Sequence, residues 1–587
     1  MLKWLEATPC VECCAVCGFM GGLTRWVAAG HTTLADHEVV FAKCGECESI
    51  TTLEAIMDFD RIDEDNSDVF LRQYVESTAG PWEMFWPIAC LLDAHSKSLL
   101  DVGCGFGFTT DAWKIVINDR AAGCDPAPYA AAGRELLGEH IHHALLDDID
   151  ELRGETFDVV YSSEVIEHVP DPVAFVGLLK SRLNANGTLV VTTPAADYIV
   201  AESDPATTEA ALAPGFHGFL FSRDALERLL RSSGLNHVIV ERHGERLIAW
   251  ASSAEIRRST PEACIETYLQ YLSVKVVALK GDTSLQQKSL RAGVAYRLFK
   301  ERLLRGQHGD IAALRELLLS ESVFAYDLNV VSPEVVAEPL RALRDGPTAF
   351  GEFGRYCFPQ LAFLFGGYLE HLDHKPDLAR VWYELAVLSA QKLCGLTVLA
   401  GLEAAAFSWQ AQFRLISLDA GSAREESAVK RLLTCMEATT HPDPSLGGSA
   451  PSAQSIWSQL DAWTQPLLRR REGAALQRLA VFVSQGSPHH ASGDAAATFR
   501  ILCLLTHDYL QMCACVARSD AAAGALTLSK LRAHVVAASG SERRWFEPLQ
   551  ARLAGLESQL PKQNATSFAS LSRQTWSVPS AVPKRWG

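Results

Sequence analysis

From Ser98 onward the chain alternates short apolar runs with amphipathic stretches. "SLLDVG" (98–103), "AAGCD" (121–125), "IHHALL" (141–146), "FDVVYSS" (157–163) and "GTLVVTTP" (187–194) read as strands. The last is nearly all apolar, which suits a strand buried on both faces. "FTTDAWK" (108–114), "YAAAGRELLG" (129–138) and "DPVAFVGLLKSRL" (171–183) read as helices between them; the third has apolar residues at 173, 175, 176, 178, 179 and 183. "RDALERLLRSSGL" (223–235) is a helix closed by Gly234, and "NHVIVERHG" with "RLIAWAS" forms a closing strand pair. Such alternation predicts an α/β fold with a parallel, doubly wound sheet.

On either side the pattern changes. The first fifty residues are short of periodicity, rich in cysteine and broken by glycine, and parts of 60–98 read as helix ("DVFLRQYV", "WEMFWPIACLLDA"). Beyond Ala254, residues 260–435 and 453–560 carry Leu, Ala and Arg at helical spacing. "HPDPSLGGSAPSAQS" (441–455) reads as a linker, "SQGSPHHASGD" (484–494) as a loop, and the polar, Pro-containing end as a loose tail. The expected domains are 1–55, 56–254, 255–440 and 456–557, with a linker at 441–455 and a disordered tail at 558–587. Phe363, Gly367, Ala379, Tyr383 and Ala386 have the spacing of a tetratricopeptide hairpin; without a second copy, a generic helical hairpin is the better reading.

Charge narrows the partners. A net charge of −17 argues against nucleic acid, which needs a basic face, and against an anionic membrane surface. No apolar run approaches the roughly 18 residues of a membrane span. The start, "MLKWLEATPCVECC", lacks the pattern of a secretory signal, so a cytoplasmic protein with reduced thiols is expected.

The chemistry concentrates in "LLDVGCGFGFTTDAW" (99–113), where Gly103, Gly105 and Gly107 follow an apolar run ending in Asp101. A strand–glycine loop–helix unit brings backbone N–H groups to a ligand. A dinucleotide site would have its third glycine at position 108, which is Phe108, and Asp101 would repel a pyrophosphate. The loop therefore prefers a zwitterionic or cationic ligand, unless it is only a tight turn. Asp125, eighteen residues past Gly107, ends the second strand, where a carboxylate accepts from a ribose diol. Asp147 and Asp148 follow the third strand, either accepting from an adenine amino group or forming a solvated turn.

Residues 99–194 resemble a class I S-adenosylmethionine-dependent methyltransferase, through "LLDVGCGFG", "AAGCDPAPYAAAGREL" and "FDVVYSSEVIEHVPDPVAFVGLLKSRLNANGTLVVTTP". The likeness is nearest to the ubiquinone-biosynthesis O-methyltransferases and sugar methyltransferases. It implies a seven-stranded Rossmann-like sheet and S-adenosylmethionine as cofactor. By position it implies that Asp101, Gly103, Cys104, Gly105 and Gly107 surround the methionine end. Asp125 would take the ribose and Asp147 or Asp148 the adenine. Ser163 would lie beside the sulfonium, and Cys104 would have no catalytic part.

Two constellations remain. Glu164, Glu167 and His168 stand at i, i+3 and i+4 of a supposed helical turn. They read as a base with an orienting acid, as part of a site for Mg²⁺ or another divalent ion, or as residues that merely close the loop. In the resembled O-methyltransferases such a trio can serve a metal. His217, in "PGFHGFLFSRDALERLL", resembles a residue facing the acceptor and is a second candidate base, with a structural role as the alternative. "EHIHH" (139–143) reads as a solvated strand entry.

Cysteine is the other signal: sixteen in all, six between positions 10 and 47. Cys14-x-x-Cys17 and Cys44-x-x-Cys47, 26 residues apart, are two knuckles able to hold a structural Zn²⁺, with Cys10/Cys13 as a rival first pair. A zinc ribbon precedes the catalytic domain in some of the resembled sugar methyltransferases. The expected activity is methyl transfer to a small-molecule or glycan hydroxyl. The alternative is a cofactor-binding interaction protein or protein methyltransferase whose helical half recruits a protein partner.

Overall fold

The computed structural model describes residues 2–10, 12–31, 37–54, 75–76, 82–91, 97–201, 203, 205–279, 284–321, 356–394, 398–420, 424–440, 453–469, 471, 473–484, 493–537 and 543–559. Most of the expected linker, most of the 484–494 loop, nearly all of the tail and much of 60–98 lie outside these. The chain divides into two compact units, Met1–Ser408 with Pro444–Ser449, and Trp409–Asp443 with Ala450–Gly587.

The first unit holds two sheets. The N-terminal one is antiparallel: β1 (Lys3–Trp4), β2 (Pro9–Cys10), β3 (Leu23–Gly30), β4 (Glu38–Cys44) and β5 (Ile50–Thr52). After α1 (Trp82–Ala89) comes the alternating region: β6 (Leu99–Val102), α2 (Phe108–Val116), β7 (Ala121–Cys124), α3 (Pro128–Leu137), β8 (Ile141–His142), β9 (Phe157–Ser163), α4 (Pro172–Ser181) and β10 (Leu183–Pro194). It continues through α5 (Pro205–Leu212), β11 (Phe219–Leu220), α6 (Arg223–Ser232), β12 (His237–His243) and β13 (Arg246–Ser252).

The seven-stranded sheet has the order β12-β13-β10-β9-β6-β7-β8. β6 to β10 run parallel, and only β13 is antiparallel to its neighbours. Leu189, Val190 and Val191 of β10 are all fully buried, in agreement with the unbroken apolar run. The order reverses between β6 and β9, the switch point outside whose carboxyl ends ligands bind in such sheets.

One strand departs from the expected pattern. β11 pairs not with the large sheet but with β5 of the N-terminal sheet. The two regions share a core in which Val27, Ala29, Val39, Phe41 and Ile50 pack with Ala196, Ile199, Ala211, Leu212 and Leu220.

Helices α7 (Pro261–Ala278), α8 (Leu285–Leu304), α9 (Ile311–Glu321), α10 (Phe358–His371) and α11 (Pro376–Cys394) follow in the same unit. α10 and α11 form the expected hairpin: Phe363 and Tyr383 lie 5.7 Å apart, and a Cβ on Gly366 would come within 2.6 Å of the Tyr383 ring. α7 is fastened to α2 by a buried ion pair, Lys275 Nζ to Asp111 Oδ2 at 2.8 Å, and the Tyr271 hydroxyl donates to the same oxygen at 2.9 Å. The His140 side chain is buried beside this pair, with Nε2 3.7 Å from Asp111 Oδ1, so within "EHIHH" His140 departs from the solvated reading, while Glu139 and His143 are exposed. Lys275→Ala would leave a carboxylate buried and short of its cation, an expected loss of about 3 kcal/mol. Denaturant unfolding read by hydrogen exchange in α2 and α7 measures it, and unchanged stability would contradict it.

α12 (Val398–Ala420) has residues in both units; the second is otherwise helical, comprising α13 (Glu425–Thr440), α14 (Ala453–Arg469), α15 (Gly473–Ser484), α16 (Gly493–Arg518), α17 (Ala521–Ala537) and α18 (Arg543–Gln559). There Asp461 binds both the Tyr509 hydroxyl and the Arg552 guanidinium, tying α14, α16 and α18 together. Among the described residues, no helix is long and apolar enough to cross a membrane.

Candidate active site

β6 ends in a loop that only glycine can build. Gly103, Gly105 and Gly107 have φ of 78, 56 and 92°. A Cβ on Gly103 would sit 2.2 Å from Val165 Cγ2, and one on Gly107 2.3 Å from Ile141 Cδ1. Asp101, at the end of β6, is buried; its Oδ2 accepts from the Thr110 hydroxyl at 2.9 Å, while Oδ1 is buried without a hydrogen-bond partner. Burial raises its carboxyl to about 7. An ammonium group arriving at Oδ1 would supply the missing donor.

Asp125 follows β7 and accepts from Gly105 N–H at 2.9 Å and Ala127 N–H at 2.8 Å. The first ties the glycine loop to the end of β7, and the second fixes the turn that follows β7. Cys104 lies between the strands, so that a Cβ on Gly123 would approach its Sγ to 2.9 Å. Burial pushes its thiol well up, consistent with a packing role. Asp147 and Asp148 sit on a short turn, where Asp147 pairs with Arg182 at 3.1 Å and Asp148 is exposed.

Ser163 ends β9, with Oγ 2.6 Å from Thr192 Oγ1 and 2.8 Å from Met84 Sδ. Here the expected trio comes apart. The helical turn begins only at Ile166, and Glu164 has a left-handed φ of 55°. Glu164 instead accepts from Thr192 Oγ1 at 2.9 Å and pairs with Arg246 at 3.2 Å.

Glu167 and His168 meet His217 instead. Both imidazole Nε2 atoms lie 4.0 Å from Glu167 Oε1, and the rings are 4.7 Å apart. His168 Nδ1 bonds the Phe216 carbonyl at 3.0 Å and His217 Nδ1 the Ala211 carbonyl at 2.9 Å, so both Nδ1 atoms are donors. In each neutral ring this leaves Nε2 as the acceptor on the side of Glu167. Burial keeps both rings neutral, lowering His168 and bringing His217 to about 3. Glu167 Oε2 accepts from the Thr193 hydroxyl at 2.9 Å, but Oε1 is buried without a partner, and burial raises the carboxyl well above its ordinary value.

Sequence reading named all three residues but did not join His217 to Glu167, because 50 positions separate them and no local spacing links them. Thr193, Arg246 and Met84 were missed for the same reason.

The four cysteines Cys14, Cys17, Cys44 and Cys47 converge, with all four sulfurs within 4.8 Å of one another. Cys14–Cys47 and Cys17–Cys44 are each 3.7 Å apart, close to the ~3.8 Å edge of a tetrahedron with Zn–S bonds of about 2.3 Å. The Cys14 thiol beside it holds Cys47 down at about 4, and the same contact, with burial, pushes Cys14 well up. Cys10 and Cys13 are outside the cluster, bonding instead toward the backbone carbonyls of Thr8 and Cys14.

Residues 84–240 match the family model of a methyltransferase domain. A tRNA U34 carboxymethyltransferase of Alteromonas mediterranea is 27% identical over 176 residues, covering 25% of this chain and 52% of that protein. A ubiquinone biosynthesis O-methyltransferase of Ruegeria sp. is 29% identical over 150 residues (24% and 60%), and one of Bradyrhizobium sp. is 33% identical over 99 residues (16% and 39%). The match thus spans between 39% and 60% of these relatives' lengths. A solved SAM-dependent methyltransferase of Thermotoga maritima, described as a possible histamine N-methyltransferase, is 16% identical with a TM-score of 0.25, over 32% of this chain and 97% of that one.

Proposed function

We propose that the protein transfers the methyl group of S-adenosylmethionine to a hydroxyl oxygen of a small-molecule or glycan acceptor. The observation that carries this is the convergence, at the carboxyl ends of β6, β7, β9 and β10, of a glycine loop with a buried acid and a Glu–His–His cluster. S-adenosylmethionine supplies an electrophilic methyl on a sulfonium. Asp101 Oδ1 would take the ammonium of its methionine part, the loop backbone would line that part, and Asp125 would accept from the ribose diol. Asp148 is the freer of the two acids for the adenine, since Asp147 holds Arg182. Ser163, at the end of β9, would border the transfer path.

The acceptor then loses a proton as its oxygen attacks. Nε2 of His217 or His168 would hold it, and Glu167 would stabilise the imidazolium formed. The acceptor must also be aligned and water excluded, which are positioning tasks for the residues around β9 and β11.

A second reading of the same cluster is favoured by one observation: Glu167 Oε1, buried with no hydrogen-bond partner among the described residues, lies 4.0 Å from both Nε2 atoms. A divalent cation would take all three atoms as ligands and favour the ionised carboxyl, and metal-bound histidines commonly donate their other N–H to a carbonyl, as both do here. The 4.0 Å spans would close modestly around an ion with bonds of about 2.1 Å. Imidazoles suit Fe²⁺ or Zn²⁺ better than Mg²⁺, while the carboxylate suits Mn²⁺. The ion would polarise the acceptor hydroxyl. Activity abolished by a chelator and restored by Mn²⁺ supports this reading; chelator-resistant activity leaves the histidines as bases.

The four cysteines would hold a structural zinc. Asp125→Ala removes the proposed ribose acceptor and one backbone anchor of the loop, the bond from Gly105 N–H, and should weaken S-adenosylmethionine binding by about 1.5–3 kcal/mol, tenfold or more. Titration calorimetry is the check, and unchanged affinity would remove the ribose assignment.

A further inference from the structure

We infer that the four-cysteine site positions His217 and Glu167 through the strand pair β5–β11, making the N-terminal sheet a working part of the acceptor side. This rests on the acceptor-side role proposed above for those residues. β11 has two residues, too few to hold a position alone; it pairs with β5, Phe219 opposite Thr51 and Leu220 opposite Ile50, while the following Phe221 bridges Ala195 just past β10. β5 begins three residues after Cys47.

The hydrogen bonds run in sequence from the knuckle to the cluster. The Ser222 hydroxyl donates to the Cys47 carbonyl at 2.5 Å, and Ser222 N–H donates to Ser49 Oγ at 3.0 Å. Thr52 N–H donates to the Gly218 carbonyl at 3.0 Å, and Gly218 N–H in turn donates to the Glu167 carbonyl at 2.9 Å. The Gly218 residue, next to His217, is thus held between the N-terminal sheet and Glu167. On the other side of His217, His31 of the N-terminal module packs so close to Gly215 that a Cβ there would be 2.1 Å from its Nε2. The buried cysteines 14, 44 and 47 also share a core cluster with Phe219 and Phe221. Ser49, Thr52, Gly218 and Ser222 are positioning residues, since they act through His217 and Glu167.

The experiment uses the full chain, reduced, with zinc present and after its withdrawal by a chelator, followed by hydrogen–deuterium exchange. Exchange in 216–222 should accelerate about tenfold or more, the scale of losing one or two backbone hydrogen bonds, while 99–108 stays protected. Thr52→Pro removes the N–H that reaches Gly218, together with the hydroxyl that accepts from Glu54 N–H at 3.3 Å. It should keep its zinc, show the same local acceleration, and bind Mn²⁺, read by electron paramagnetic resonance, about tenfold more weakly, while S-adenosylmethionine affinity is unchanged. A purely structural strand would not separate those two affinities. If zinc withdrawal unfolds the whole chain, Thr52→Pro decides. Wild-type protection of 216–222 in zinc-free protein or in Thr52→Pro overturns the inference. If no form binds Mn²⁺, the metal reading of the Glu–His–His cluster fails, and exchange alone still decides the coupling.

Discussion

Glu167→Gln is expected to slow methyl transfer by about 10²–10⁴-fold, the range typical of losing acid–base assistance, while changing S-adenosylmethionine affinity little. The substitution keeps the side chain's volume and an oxygen for the Thr193 hydroxyl, now 2.9 Å from Oε2. It removes the group that ionises beside an imidazolium or a cation, which both readings of the cluster need. If the histidines act as bases, the imidazolium loses its counter-charge; if they bind a cation, the only anionic ligand of the three is lost. His168→Ala and His217→Ala separate the two: a base reading predicts one damaging substitution and one mild one, whereas a metal reading predicts that both damage activity and ion binding together. Product formation from methyl-labelled S-adenosylmethionine, alongside calorimetric titration of the cofactor, supplies both numbers. Full activity in Glu167→Gln would leave alignment alone as the account of transfer.

The second large effect concerns the cysteines. Purified under reducing conditions without chelator, the protein should carry about one zinc per chain. Cys14→Ser or Cys47→Ser should release it, and Cys10→Ser or Cys13→Ser should not, because only Cys14, Cys17, Cys44 and Cys47 bring their sulfurs together. Structural zinc sites supply on the order of 10 kcal/mol, comparable to a whole domain's stability. Here the cluster also lies in a core shared with β11 and α6 through Phe219, Phe221 and Ala225, so the melting loss should reach beyond the N-terminal sheet. Elemental analysis and thermal unfolding of the four variants measure it. Zinc retained in Cys14→Ser but lost in Cys10→Ser would move the first knuckle to Cys10/Cys13.

The strands and helices of the large sheet were legible because each is short, apolar on the buried side and closed by glycine or a cap. Asp171 and Ser222 cap α4 and α6 as their residue types suggest, and Gly234 follows α6 with φ of 87°. The glycine loop was legible for the same local reason, and the cysteine knuckles by spacing, which left Cys10/Cys13 as a rival first pair where the structure groups Cys14 and Cys17 with Cys44 and Cys47. What was not legible depends on contacts far apart in sequence. Glu164 was grouped with Glu167 and His168 on the premise of a helical turn, but its left-handed backbone and the Arg246 guanidinium turn it away. His217 reaches Glu167 across 50 positions because β11 folds onto β5, a pairing that a two-residue strand inside "GFHGFLFS" does not announce. His140 looked solvated in a run of polar residues and is instead packed beside the Asp111–Lys275 pair that fastens α2 to α7.

The most direct test of methyl transfer incubates the full chain with methyl-labelled S-adenosylmethionine and fractionated cell extract, then identifies the labelled species. The expected result is label on an oxygen of a small molecule or glycan, lost with Glu167→Gln and reduced with Asp125→Ala at limiting cofactor. Label on a polypeptide would favour the protein-methyltransferase alternative. Tight cofactor binding with no labelled product in any fraction would contradict the proposed enzyme and leave a cofactor-binding interaction protein.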